Sequence, residues 1–563
     1  MSPDTHQMKI DVLDVSQFSY CERVSAAALQ GLVNRNGPTI FVDYGIYDDP
    51  LARRTNEDFM ADDIWFGKYR NLLGAQDQRN LAYYQQEHGA KTQQVKDLAA
   101  LVHKYHTTLK GCVVWDAALD DTANIALMLA AQEDLLPIEA SQLEWSQQFD
   151  LPIARDLRGR WNDRVSLYRW VYENLFAQCK PGQVACIEPA WQRPEFLDYL
   201  VQNKIFTYNL GSKQEGLGGT LLLLLAFGPA WLRELIFTLR LDKPLRSLAL
   251  KSLSNSSAEI RLNNRIQRSV KAAPYPTLFG WHTKRDDELT FMLLLSANGL
   301  RLVPSHLAAN FSFHSQVKPL AAFESPVQRP KPKLDPQGIY ITYTLSDGDQ
   351  LMMMSTAELG NWYTPRRGEL PFNWETQPLL CELAPALLEK FIRSATDTDC
   401  LVAGPSGAGY IVPPLAPNLP AYMKESGRIC QKAGIRVVTS YVADPPRRVL
   451  AEITKFGHGL QGFLAGYGVL SRTLHAVNNG IPFISNQIPT VDQIWATPEE
   501  LFETIQKLAS QPGSTPRFIG VHFFAYRTTY DDVVRLSATL TNEHIHIVRA
   551  DDFLVLAAQV HPS

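Results

Sequence analysis

Two carboxylates one residue apart, Asp347 and Asp349, lie in Ser346-Asp347-Gly348-Asp349-Gln350, directly after the apolar run GIYITYTL. Carboxyl groups held this close push one pKa up and leave the other ionised, so one residue type supplies both an acid and a base. They equally suit a hard divalent cation. Gly348 lets the backbone turn so that both acids face one pocket. The same residues also read as an ordinary Asp-rich turn. A second cluster is GPSGAGYIVP, 404–413, after the apolar run DCLVAG. Its glycines, Gly407 and Gly409 among them, allow close backbone approach to a ligand, while Ser406 and Tyr410 offer a hydroxyl and a phenol. It is neither a Walker loop nor a dinucleotide fingerprint, and it lacks the G-x-S-x-G elbow. A third cluster, NWYTPRRGELPFNWE, brings Arg366, Arg367, Trp374 and the carboxylate Glu375 into one loop-like stretch. Interleaved aromatics and arginines suit stacking on sugar faces, and equally a protein interface. The fourth candidate is His522 in FIGVHFF, a strand histidine with Tyr526 and Arg527 after it.

The elements that must position these residues alternate. Beyond residue 337 the strand-like runs are GIYITYTL, CLVAGPS, IRVVTSYV, GFLAGYG, IPFISN, FIGVHFF and HIHIVRA. Helical spacing falls between them at 385–394, 419–433, 446–455, 498–510 and 529–541. Seven strands alternating with helices predict a C-terminal (β/α) barrel, complete or incomplete. In such a barrel the C-terminal strand ends carry the chemistry, which is where Asp347, Asp349, Ser406 and His522 fall. Asp551 and Asp552 after HIHIVRA read as a helix cap.

The first 324 residues predict a layered α/β region of several βα modules, about 1–95, 96–180 and 181–324. Its opening reads strand, helix (SYCERVSAAALQGLVNR, capped by Ser19 with Glu22 three on) and strand TIFVDYG. Thr92–Tyr105 is expected as a helix, and Ser252–Val270 as polar surface. Four prolines within residues 325–337 mark the linker to a catalytic domain over 338–563.

Composition narrows the function. The chain has 563 residues, 45% hydrophobic and 20% charged, with a formal net charge of −4. That fits a folded multi-module protein and excludes a disordered or fibrous chain. Without a basic excess, nucleic-acid binding by bulk charge has no support. The seven cysteines include no C-x-x-C pair and read as buried thiols in a reducing compartment. The N-terminus lacks a secretory leader pattern, so a cytoplasmic location is expected from the sequence as it stands. The most apolar stretch, Gly219–Leu239, is interrupted by Pro229 and Arg233-Glu234 and is too short for a transmembrane span. It is expected as a buried helix, with the basic residues after it keeping a peripheral-membrane or docking role open.

These motifs together resemble a known family. GAGYIVP at 407–413 is similar to the motif that names the GxGYxYP family, whose label is glycoside hydrolase, with Val412 where the name has tyrosine. SAAALQGLVNRNGPTIFVD resembles the family's SLQGLVNR…P opening. YITYTLSDGDQ resembles its SDGDN strand end, with Gln350 in place of asparagine. WYTPRRGELPFNWETQPLLCELAP resembles its connector, and LFGW, Glu288 and ANFSFHS resemble the segment leading into its C-terminal domain. The resemblance implies an α/β N-terminal region, a C-terminal barrel and a carbohydrate or glycoconjugate substrate. Family members are often secreted. Position by position it points to Asp347, Asp349, Arg367, Trp374, Ser406, Gly407, Gly409 and Tyr410. More distantly, the barrel resembles the polysaccharide-deacetylase type, with Asp347, Asp349 and His522 in matching places and no H-x-x-x-H pair.

Three readings follow. In the first, a glycosidic bond is hydrolysed by Asp347 and Asp349 with Glu375. Arg366, Arg367, Trp374, Ser406, Gly407, Gly409, Tyr410 and His522 hold the substrate, and no cofactor is required. In the second, Asp349 and His522 coordinate a divalent metal that activates water for deacetylation. In the third, the aromatic and arginine loop binds carbohydrate without catalysis.

Overall fold

The computed structural model describes residues 8–44, 77–189, 196–214, 216–253, 256–271, 274–305, 308–324, 330–346, 351, 358–467, 475–489, 496–513, 515–525 and 527–560. The N-terminal region holds three small parallel sheets. The first has β1 (Lys9–Asp14), β2 (Ile40–Asp43) and β3 (Lys91–Val95) in the order β2-β1-β3. The second has β4 (Gly111–Val114), β5 (Leu135–Ile138) and β6 (Ile153–Asp156) in the order β5-β4-β6. The third has β7 (Gln183–Cys186), β8 (Phe206–Tyr208), β9 (Thr277–Gly280) and β10 (Arg301–Pro304) in the order β10-β9-β7-β8.

The helix Tyr20–Val33 joins these sheets. Its capping box on Ser19 and Glu22 forms as the sequence predicts. Gly31 sits where a Cβ would come within 2.3 Å of the Asp198 carbonyl, so only glycine lets the helix Leu197–Gln202 pack this closely. The next residues are equally committed. Gln30 and Asn34 donate to the Ile40 carbonyl and to Asn310 and Ser312 respectively. Arg35 pairs with Asp134 at 2.9 Å. The LQGLVNR motif is therefore a structural joint, far in function from a ligand loop.

Asp198 is fully buried, and its carboxylate accepts the Ser312 backbone N–H at 2.7 Å. Burial pushes its carboxyl up to about 6 from 3.8, against the pull of those backbone donors. A carboxyl that holds its proton more tightly folded than unfolded loses stability for the fold as pH rises through that window. Asp198→Asn is therefore expected to gain about 3 kcal/mol on the wild type between pH 4 and pH 7. Unfolding midpoints measured across that range check it; parallel pH profiles would contradict it.

The C-terminal region is a curled sheet that forms an incomplete barrel, as expected. Its strands are β11 (Ile339–Leu345), β12 (Phe372–Thr376), β13 (Asp399–Ala403), β14 (Val437–Ser440), β15 (Gly462–Ala465), β16 (His475–Asn478), β17 (Ile481–Ser485), β18 (Arg517–Phe523) and β19 (Ile545–Ile547). The order is β16-β17-β15-β14-β13-β12-β11-β18, and β19 pairs with β11. Seven strands run parallel around the ring, while β16 is an antiparallel addition. β17 and β18 meet only beyond the end of β17, where Gln487 N–H donates to Gly520 and His522 N–H to Ile488.

Several elements differ from the sequence reading. HIHIVRA is not a ring strand: β19 is three residues long and lies beside β12 along one edge of β11. The seventh ring strand is β12, inside the stretch read as a loop, because two prolines and a Gly-Glu turn mask its five buried residues. Asn373 fills the fork between β12 and β19, donating to Thr342 and Thr344 and accepting from Ala550 N–H. Thr92–Tyr105 splits into β3 and the helix Leu98–Lys104, capped by Asp97. Residues 258–269 form an amphipathic helix whose inner face buries Ile260, Leu262 and Ile266. The leucine-rich stretch is two helices, Gly216–Phe227 and Ala230–Thr238, bent by 96° at Gly228-Pro229 and exposed along one side rather than buried. No single described helix is long and apolar enough to cross a membrane. All seven cysteines are free and six are buried. Part of the proline-rich linker, 325–329, lies outside the described residues.

Candidate active site

Alternation along the ring strands sorts their side chains into two sets. Tyr340, Cys400, Val402, Val437, Leu464, Ile484 and Phe518 pack against Phe553, Leu554 and Leu556 of the final helix, Ala550–Val560. That helix reaches β11, β13, β15 and β17, strands spread around the ring, so it plugs the N-terminal mouth of the barrel. Register then fixes what lies above the apolar layer. Glu375 pairs with Val402 on the same face, and Thr439 lies two residues beyond Val437. His522 lies four residues beyond Phe518, opposite Thr344. The period of two thus carries an interior that is apolar below and polar toward the C-terminal strand ends.

Glu375 is the centre of this polar layer. Its side chain and that of His522 are wholly buried, with His522 Nε2 3.1 Å from Glu375 Oε1. The Thr439 hydroxyl donates to Oε1 and the Tyr467 hydroxyl to Oε2. The Tyr467 ring meets the His522 imidazole edge-on at 4.6 Å. A carboxylate against an imidazole fixes the direction in which the ring points. Asn486, 1% exposed, reaches into the same layer, and its amide finds no hydrogen-bond partner among the described residues. Two glycines make room for it. A Cβ on Gly466 would stand 2.5 Å from Asn486 Nδ2 and 2.6 Å from His522 Nδ1, and one on Gly520 would stand 2.0 Å from Asn486 Oδ1.

The signature loop lies at the joint between the two regions. Tyr410 exchanges both backbone hydrogen bonds with Leu302 of β10, at 2.7 and 2.9 Å. Gly409 has φ +91°, and a Cβ there would meet Arg301 Cδ at 2.8 Å; Gly407 has φ +137° and would meet Ser426 Oγ at 2.8 Å. Ser406 Oγ donates to the Ile411 carbonyl at 3.1 Å. The Tyr410 hydroxyl donates to Glu288 Oε1 at 2.7 Å. Burial pushes the Glu288 carboxyl up, and the Tyr410 hydroxyl pulls it partly back. From Tyr410 a run of rings leads to the barrel centre. Tyr410 and Tyr441 lie 5.0 Å apart, Tyr441 and Tyr467 6.0 Å, and Tyr467 touches His522. Tyr441 and Tyr467 are half-buried, the partly open members of the run.

The structure therefore brings Glu375 and His522 together and ties Tyr410 to them through two tyrosines. It sets the connector residues elsewhere. Trp374 occupies the opposite face of β12, where its indole N–H donates to Asp399 at 2.8 Å. Arg367 pairs with the other oxygen of Asp399 at 2.7 Å and stacks over Trp362 at 4.1 Å. Arg366 pairs with Glu369 at 2.8 Å on the surface. These side chains are already engaged in holding the connector to the outside of the sheet. Asp347 and Asp349 lie outside the described residues, as do Gln350 and Tyr526. Thr439, Tyr441, Tyr467 and Asn486 did not stand out in the sequence, since each is one polar residue just at or past the end of an apolar strand. Among the described residues no group of three or more His, Cys, Asp or Glu side chains is arranged to hold a metal ion.

The sequence profile described as "GxGYxYP putative glycoside hydrolase C-terminal domain" matches residues 337–558, the whole barrel. Those described as "GxGYxYP_N second domain" and "GxGYxYP third domain" match residues 109–179 and 233–316. The chain belongs to the GxGYxYP family. The variant loop of this member, GAGYIVP, keeps the two glycines and the tyrosine that the family name records. Their spacing is explained by the joint: each glycine faces a side chain where a Cβ has no room, and the tyrosine reaches Glu288. Among solved structures, the chain is similar to a putative hydrolase from Bacteroides thetaiotaomicron VPI-5482. That match has 17% identity and a TM-score of 0.76, covering 98% of this chain and 95% of the other. That likeness shows a shared fold over both regions. Smaller matches are PuuE allantoinase, at 12% identity and TM-score 0.29, covering 44% of this chain and 99% of that one, and a putative polysaccharide deacetylase from Mycobacterium smegmatis, at 10% and 0.28, covering 43% and 96%. No curated protein is significantly similar to the chain.

Proposed function

We propose that this GxGYxYP family member is a hydrolase that cleaves a glycosidic bond at the C-terminal mouth of its barrel. The observation that carries the reading is the buried carboxylate–imidazole pair of Glu375 and His522 in the polar layer of the ring. Two chemical features support it. Glu375 is held by two hydroxyl donors and lies 3.1 Å from a ring nitrogen of His522, so its carboxylate is fixed in direction as an acid–base group must be. Asp347 follows Ser346 directly in sequence, with Asp349 two positions further on, and Ser346 is anchored at this same end of the barrel by the Ala525 N–H. In this reading one of the two aspartates is the nucleophile or base. The other, or Glu375 acting with His522, protonates the leaving oxygen. Tyr410, Ser406, Gly407 and Gly409 shape the side of the site next to the N-terminal region. Glycosidic hydrolysis needs two carboxyl groups about 5–5.5 Å apart for retention, or about 6.5–9.5 Å for inversion.

The test is a hydrolysis screen over a broad panel of glycans and glycoconjugates, with an Asp347→Asn/Asp349→Asn double variant beside the wild type. Release of a reducing sugar by the wild type and its loss in the double variant is the expected result. Full activity in the double variant would remove the aspartates from the reaction. No turnover on any glycan, with deacetylation that a chelator stops, would replace the glycosidic reading by metal-assisted hydrolysis.

A further inference from the structure

We propose that the helical segment 216–252 is a docking element that adsorbs to membrane surfaces carrying anionic headgroups. Ten large apolar side chains are exposed among the described residues, and seven of them fall between Leu217 and Leu248. A surface with scattered apolar residues needs no explanation, but this concentration in one segment does. Trp231, Leu235 and Leu239 recur every fourth residue along one side of the helix Ala230–Thr238 and its end, with Trp231 70% exposed. Leu241, at the N-cap of the next helix, Asp242–Ser252, and Leu248, seven residues on within it, are exposed as well.

The inner side of the segment is fastened to the barrel. Arg233 and Asp444, 2% and 3% exposed, form an ion pair at 2.7 Å, and Ile236 and Phe237 are buried beside it. The outward direction of the Trp231 stripe is thereby fixed. The charges name the partner. Within 216–252 the exposed charged side chains are Arg240, Lys243 and Lys251. The two carboxylates are turned away: Asp242 is buried and paired with Arg448, and Glu234 accepts the Arg447 N–H. A tryptophan and leucines flanked by lysine and arginine are the composition of a helix that lies in the bilayer interface. The helices are too short, and bent too sharply at 96°, to cross it. A second copy of the chain fits less well, because a two-fold contact would set the three cations of each copy against those of the other. The segment also borders the candidate site, with Phe227 meeting Tyr441 at 5.8 Å. The proposal does not depend on the reaction at that site.

The experiment is co-sedimentation of the full chain with vesicles of phosphatidylcholine alone and of phosphatidylcholine mixed with phosphatidylglycerol, at low and high salt. Binding to the mixed vesicles is expected to be about a hundredfold tighter than to neutral ones, and to weaken with salt. Two variants, Trp231→Ser/Leu235→Ser and Arg240→Glu/Lys243→Glu, are each expected to lose at least about tenfold in binding while keeping the wild-type thermal midpoint. Equal and weak binding to both vesicle types would overturn the proposal. So would binding that both variants retain, or a dimer in sedimentation velocity that Trp231→Ser dissociates.

Discussion

Replacing Glu375 by glutamine is expected to lower kcat for sugar release by about 10²–10⁴-fold, the range that a positioned acid–base group contributes. The side chain keeps its volume, so the fully buried site stays filled. What changes is proton chemistry. Glu375 accepts from Thr439 on one oxygen and from Tyr467 on the other, and its first oxygen faces His522 Nε2. Glutamine offers one accepting oxygen and a donating amide, so one hydroxyl must turn away and the imidazole loses its anionic neighbour. The stability cost is that of one rearranged buried hydrogen bond, about 1–3 kcal/mol. Steady-state rates on a substrate found in the screen, read beside the thermal midpoint, separate the two effects. A variant with full kcat would leave Glu375 as a packing residue and return the reaction to Asp347 and Asp349 alone.

The second large effect concerns Asp444. Asp444→Ala is expected to destabilise the protein by about 3–5 kcal/mol, because it leaves the buried Arg233 guanidinium without its counter-charge. Arg233 keeps two weaker partners, the carbonyls of Gly228 and Ala226, and these carry no formal charge. The double variant Arg233→Met/Asp444→Leu removes both charges and is expected to recover most of the loss, since a buried pair and a well-packed apolar pair have similar net worth. Denaturant unfolding of the wild type, the single variant and the double variant measures the cycle. A single variant as stable as the wild type would mean that water reaches Arg233 and that the segment 216–252 is held by its apolar contacts.

How much of this was legible in the sequence depends on the distance over which each feature is encoded. Local signals held. The capping box at Ser19 and Glu22 and the helices at 385–394 and 498–510 depend on neighbours a few residues away, and they form where their residues predict. The leucine-rich stretch was read only in part, because hydrophobicity records preference for apolar surroundings without naming them: Leu222, Leu225, Ile236 and Phe237 are buried, while Leu223, Trp231, Leu235 and Leu239 face outward. β12 was hidden because its five residues are bracketed by turn-forming ones, although its face-by-face burial is complete.

By itself the sequence determined the class and kinship of this protein. Alternating strands and helices gave the incomplete barrel, and six ordered motifs gave the family, because both are written along the chain. Only the tertiary structure decided what the motifs do. It assigned LQGLVNR and GAGY to joints between layers, where a Cβ on the glycine has no space, and it turned Trp374 away from Glu375. It also assembled Glu375, Thr439, Tyr467, Asn486 and His522, which come from or follow five different strands. The physical reason is that hydrogen bonds and ion pairs act over about 3 Å in space, whereas these residues are up to 147 positions apart along the chain.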